Sequence, residues 1–163
     1  MEIDDSQMPA TSIIYPVLRY GIMEFEDIQY MYKEGYDCAQ CVIHAFKDKL
    51  NADEETIMRA TTCMSMGLLQ GSVCGAILAA FTIIGLRYGT SSPDLGAKGL
   101  ALIKREQFMT EFRKKYNGIT CPELTGYDVR DNEENTKAFA AGIYDNFCPR
   151  LCLDVMNILE KIL

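Results

Sequence analysis

Residues 73–86 form the longest apolar run in the chain, with no charged side chain and two glycines, Gly75 and Gly85. The run is too short to cross a bilayer, which takes ~20 apolar residues as a helix. The rest of the chain must bury it, and a helix covered on most sides satisfies its backbone groups internally. The flanking sequence therefore has to supply amphipathic elements that surround it.

The flanks carry that pattern. Phe25, Ile28 and Tyr32, with Met31 one position off the period, give an apolar stripe that Gly35 stops. Cys38, Cys41, Val42, Ala45 and Phe46 recur at helical spacing behind Asp37, a good N-cap, and predict a helix over 37–50. Asp53, Glu54 and Glu55 open a third helix with charges that complement its dipole. Gly67 and Gly71 bracket a loop before the apolar helix, which ends at Gly89. A long helix follows over 93–116, with Pro93 at its first position. After a polar stretch, 127–135, the chain closes on a helix over 148–163 with Leu151, Val155, Ile158, Leu159 and Ile162 on one side. No segment alternates with the period of a strand. These features predict an all-α protein, a compact helical bundle of five to seven helices. A chain of 163 residues suits one hydrophobic core. We expect a single helical four-cysteine domain over 23–163, preceded by an irregular N-terminal arm over 1–22. The apolar side chains of that arm, Ile13, Ile14, Tyr15, Val17 and Leu18, need a covering surface, and a homodimer would supply one.

The net charge of -7 argues against nucleic acid and other anionic partners. The densest basic stretch, Lys104, Arg105, Arg113, Lys114 and Lys115, is interrupted by Glu106 and Glu111 and reads as a solvated helix face. The opening Met1-Glu2-Ile3-Asp4-Asp5 lacks the basic start of a secretory leader. With no membrane insertion expected either, the chain is assigned to the cytoplasm.

That assignment governs the seven cysteines. Their number is odd, and reducing compartments disfavour structural disulfides, so clustered thiols there point to metal binding or redox chemistry. Cys121 precedes Pro122 and Cys148 precedes Pro149, and proline favours the first helical position, so each cysteine is expected as an N-cap. Cys74 lies at the start of the apolar helix, and Cys38 follows Asp37. Four thiols at four helix starts would feel the positive end of each dipole, which favours thiolate, the form needed by a ligand or a nucleophile. Cys38, Cys74, Cys121 and Cys148 are therefore the candidate metal and cofactor ligands. Cys41, Cys63 and Cys152 lie within helices on or near apolar stripes and read as packing residues. A rival grouping joins Cys38 and Cys41 to Cys148 and Cys152 as a zinc knuckle, leaving Cys74 and Cys121 apart. His44, the single histidine, reads as an exposed position on the second helix. The glycines of 67–75 lack the Lys-Ser/Thr of a phosphate loop.

The four segments Gly35-Tyr36-Asp37-Cys38-Ala39-Gln40, Gly71-Ser72-Val73-Cys74-Gly75-Ala76, Cys121-Pro122-Glu123-Leu124 and Cys148-Pro149 together resemble the CGAxxG (C_GCAxxG_C_C) family, whose members are described as redox-active. The resemblance runs from about Tyr30 to the C-terminus and extends to the helix end Leu86-Arg87-Tyr88-Gly89. The chain departs from the family pattern at Ala79, where the motif's second glycine would stand, and at Asp37, where asparagine is usual. The stretch 63–67, just before Cys74, is less glycine-rich than usual, and Cys41, Cys63 and Cys152 are extra thiols. The resemblance implies a redox role and gives no substrate.

Three functions stay open. The first is a metal centre held by the four cysteines, an iron–sulfur cluster of [2Fe–2S] type serving electron transfer or redox sensing with a partner protein. The second is a thiol–disulfide oxidoreductase using the same cysteines, an enzyme that needs no cofactor, with a thiol such as Cys74 attacking and another resolving. The third is a structural Zn2+ site in a binding protein.

Overall fold

The computed structural model describes residues 23–50 and 52–163; the arm expected over 1–22, and with it the apolar residues invoked for a homodimer, lies outside them. Among the described residues there are eight α-helices: α1 (Phe25–Lys33), α2 (Cys38–Phe46), α3 (Glu54–Thr61), α4 (Gly75–Tyr88), α5 (Leu95–Arg113), α6 (Cys121–Thr125), α7 (Asn132–Ala140) and α8 (Cys148–Ile162). No strand occurs among them, only an isolated antiparallel bridge between Val73 and Thr120.

The fold is all-α as expected, with one helix more than the upper bound of seven. The shortest element is α6, whose start Pro122 marked but whose five residues are too few to reveal a period. It persists because Thr120 and Glu123 form a capping box at its start and Gly126 closes it in the left-handed conformation, φ 81°. α7 begins inside the stretch read as a polar connection, since the Asp131 carboxylate accepts from the Glu133 and Glu134 N–H groups. α5 starts two residues later than expected, because Asp94 caps it through the Gly96 N–H and Pro93 lies outside.

The apolar run becomes α4, which packs on α2, α5 and α8. α2 and α4 lie closely together, and Ala39, Ala76, Ala79 and Ala80 have no exposed surface, so their small side chains admit a near approach of the two backbones. α8 covers α1, α2, α4 and α5 with Leu151, Val155, Met156 and Leu159. Phe108 and Phe112 of α5 complete the core, with Phe108 edge-on to Phe81. Each such buried side chain contributes about 1.5–3 kcal/mol. Arg105 and Arg113 pair with Glu106, and Lys114 with Glu111, at exposed positions, as a solvated basic face requires. No helix of the described residues is long and apolar enough to cross a membrane.

His44 departs from the sequence reading. It is 2% exposed, because α3 packs over that side of α2 and brings the Glu54 carboxylate to 2.8 Å from Nδ1. Burial lowers its pKa from 6.5, outweighing the opposing hydrogen bond to the Glu54 carboxylate. A buried neutral imidazole makes the unfolded chain the better proton acceptor. Its stabilising contribution is complete above pH 6.5 and is lost as pH falls through the lowered value. The urea midpoint should therefore fall across this range. His44→Gln should flatten that acid limb, and an unchanged slope would contradict the assignment.

Candidate functional site

Cys38, Cys74, Cys121 and Cys148 line one cavity of about 390 Å³. Each is delivered by a helix start. Gly35, at φ 95°, ends α1 and turns the chain into α2, where Asp37 caps through the Ala39 and Gln40 N–H groups at 2.9 and 3.0 Å. Cys38 is thus the first residue of α2. Cys74 is itself the N-cap of α4. Cys121 opens α6 behind its cap Thr120, and Cys148 opens α8 directly after the turn Ile143–Phe147. The last two cysteines therefore stand one residue inside their helices, where the sequence predicted caps.

Two backbone bonds hold Cys74 and Cys121 together: the Cys74 N–H donates to the Ile119 carbonyl at 2.8 Å and the Cys121 N–H to the Ser72 carbonyl at 3.0 Å. Cys38 reaches them from α2 through the space that Gly75 leaves open. A Cβ on Gly75 would lie 2.6 Å from the Cys38 Sγ and 2.6 Å from the Met64 carbonyl oxygen. Cys74 is coupled electrostatically to both Cys38 and Cys121, which groups these three thiols. Cys148 joins through its electrostatic coupling to Cys38.

The segment before Cys74 adopts an uncommon backbone. Met66, Gly67, Leu68 and Leu69 are consecutive left-handed residues, φ 50°, 65°, 60° and 55°. For the three that are not glycine this conformation costs roughly 1–2 kcal/mol each. The turn is closed by the Ser72 N–H on the Gly67 carbonyl at 2.9 Å, and it brings the Met66 N–H onto the Cys38 sulfur. The bracketing glycines revealed a turn in the sequence; nothing there signalled the left-handed leucines.

For Cys38, Cys74 and Cys148 the expectation that helix starts lower the thiol pKa is overturned. Cys38 is pushed well above 9.0 by its bond to Cys74 and by burial. Cys74 is pushed up to about 12 by its bond to Cys121 and by burial. Cys148 is pushed up to about 12 by burial and by Cys38. The reason is local. At Cys38 the leading N–H groups of α2 are already bound by the cap Asp37. At Cys74 the Ala76 N–H of its own helix lowers the pKa but does not offset the rise. Each sulfur otherwise faces other sulfurs in a nearly dry space.

The zinc-knuckle grouping is not what the fold assembles. Cys74 and Cys121 join Cys38, whereas Cys41 and Cys152 are fully buried behind the cavity and do not line it. Cys152 instead hydrogen-bonds the Tyr32 hydroxyl at 3.5 Å and the Cys38 carbonyl at 3.6 Å. Cys63, read as a packing residue, is exposed on the turn Thr62–Met64 that follows α3. Sequence reasoning assigned no role to Tyr32, Tyr36, Phe139, Tyr144 and Phe147, which line the cavity with the cysteines. The adjacency of Phe147 to Cys148 and of Tyr36 to Cys38 was the available signal. Among the described residues, no group of three or more His, Cys, Asp or Glu side chains is close enough to hold a single metal ion.

Residues 36–162, most of the chain, match the model of a family described as Putative redox-active protein (C_GCAxxG_C_C). No curated protein and no solved structure matches.

The contact at Gly75 gives a direct check. Gly75→Ala should destabilise the protein by about 1–3 kcal/mol through overpacking against Cys38 and Met64. Gly85→Ala, with nothing within 4 Å of the added carbon, should be neutral or stabilising. Equal urea midpoints for the two variants would refute the close approach.

Proposed function

The chain belongs to the C_GCAxxG_C_C family, and from that premise we propose that it is a redox-active protein whose Cys38, Cys74, Cys121 and Cys148 bind an iron–sulfur centre of [2Fe–2S] type for electron transfer or redox sensing. The observation that carries this reading is the convergence of four thiols, from four helix starts, on one cavity. An all-thiol donor set suits iron–sulfur ligation. When bound, the centre supplies a one-electron carrier. The chain's own groups hold and tune it: the Met66 and Ala76 N–H groups point at the Cys38 and Cys74 sulfurs, and such bonds to ligand sulfur raise a potential. A single zinc ion has less support, because no three ligands stand close enough to share one ion. A two-iron centre divides its four ligands into two pairs and makes a smaller demand on any three.

One observation favours a second reading. Cys74 is coupled to both Cys38 and Cys121, so either neighbour is a partner for a disulfide with it, two thiols losing two electrons and two protons to an incoming disulfide. The high pKa values of Cys38 and Cys74 weigh against this, since exchange needs a thiolate.

The test is purification without oxygen, followed by iron, sulfide and zinc analysis and a visible spectrum. The expected result is about two irons and two sulfides per chain with visible absorption. Cys74→Ser and Cys121→Ser should abolish both, while Cys63→Ser, far out on the surface, should retain them. A colourless, metal-free protein that forms a reversible Cys74 disulfide by peptide mapping would overturn the cluster in favour of exchange.

A further inference from the structure

The cavity has more wall than the cysteines provide. Its volume of about 390 Å³ falls within the roughly 300–1,000 Å³ range of small-molecule sites. Much of the remaining lining is aromatic or aliphatic: Tyr36, Phe139, Tyr144 and Phe147, with Leu124 and Leu151. Among the described residues that line it there is no Lys, Arg or His, and the charged groups present are the carboxylates of Asp37 and Asp145. The Asp37 carboxylate is committed to the N–H groups of α2. An anion entering this space would find no counter-charge and two carboxylates.

Phe139 adds a second observation. It is 60% exposed, yet it lines the cavity, with its ring centroid 4.4 Å from that of Tyr144 at a tilt of 54°. The Tyr144 ring is fixed by a hydrogen bond from its hydroxyl to Asn135 at 2.6 Å, and it lines the same cavity as Cys148 and Cys121. Phe139 is carried by α7, which meets the rest of the protein chiefly through the turn Ile143–Phe147. A large ring left half in water beside a thiol-lined apolar space is a surface that another flat ring would cover.

We infer that the cavity is a binding site for a small, uncharged, flat aromatic molecule, which enters past Phe139 and lies against Tyr144 in front of Cys121 and Cys148. The inference leans on the redox reading only in making that molecule the site's electron donor or acceptor; the binding itself does not depend on a cluster or a disulfide.

The test is equilibrium dialysis of the full-length protein, as purified without oxygen, against naphthol and against naphthalenesulfonate, its anionic counterpart. Naphthol should saturate at one molecule per chain, with the sulfonate about tenfold weaker or worse. Phe139→Ala should weaken naphthol about tenfold. Val129→Trp, which fills the cavity from its lining, should abolish binding while the circular dichroism stays helical. Leu102→Ala, an exposed apolar position outside the cavity, should change nothing. Absence of saturable naphthol binding, equal affinity for the two probes, or equal losses in the Phe139 and Leu102 variants would overturn the proposal. Iron-free protein that still binds naphthol would sink the cluster and leave this site standing, whereas iron-loaded protein that ignores naphthol would do the reverse.

Discussion

Two backbone hydrogen bonds between residues 72–74 and 119–121 determine where the sulfurs of this protein can go. They join the start of the most apolar helix, α4, to the start of the shortest, α6, across more than 40 residues of sequence. Neither helix would meet the other by apolar packing alone, since α6 buries little beyond Cys121. The bridge fixes Cys74 and Cys121 in register through main-chain groups, which cannot be lost by side-chain substitution. Everything else at the site is fitted around it. Gly71, at φ 62°, lies against Pro122, and a Cβ there would already press within 3.2 Å of its Cγ. Gly75 clears the path for Cys38, and α8 brings Cys148 from the far side.

The left-handed turn before Cys74 is the energetic counterpart of this arrangement. Three residues other than glycine in that conformation oppose folding by several kcal/mol, on the order of half the net stability of a small domain. The packed interior of α2, α4, α5 and α8 has to offset that strain. The return is directional: the turn reverses the chain tightly enough to bring the Met66 N–H to the Cys38 sulfur while leaving Ser72 free to accept from Cys121. Strain retained beside a candidate site, and absent from the rest of the described backbone, agrees with a site that uses the geometry.

What could be read from the sequence divides along physical lines. Residues whose effect is local were legible: Asp37 and Asp53 as caps, Gly35 as a stop, the apolar run as a helix, and the prolines after Cys121 and Cys148 as markers of helix starts. Residues whose state depends on what packs over them were not. His44 was misread because its burial is imposed by α3, and Cys63 because its helix gives way to a tighter turn just before it. The start of α6 was marked by Pro122, but its extent was not legible because five residues carry no period. The aromatic side of the cavity comes from α1, the connection between α1 and α2, α7 and the turn between α7 and α8, and no spacing rule links Tyr36 to Phe139 or Tyr144. The thiol pKa values were misjudged for a related reason. A cysteine near a helix start says nothing about whether the leading N–H groups are already bound.

That last point bears on how the site handles charge. With no Lys, Arg or His in the lining, any negative charge on the sulfurs must be answered by backbone dipoles. The caps Asp37 and Thr120 take up the free N–H groups of α2 and α6, leaving Cys38 dependent on Met66 from a different segment. At Cys74 the Ala76 N–H of its own helix favours the charged form. Cys38, Cys74 and Cys148 are all held above the usual thiol range, so a thiolate at this site needs an incoming cation as well as the N–H groups that favour charge on Cys38 and Cys74.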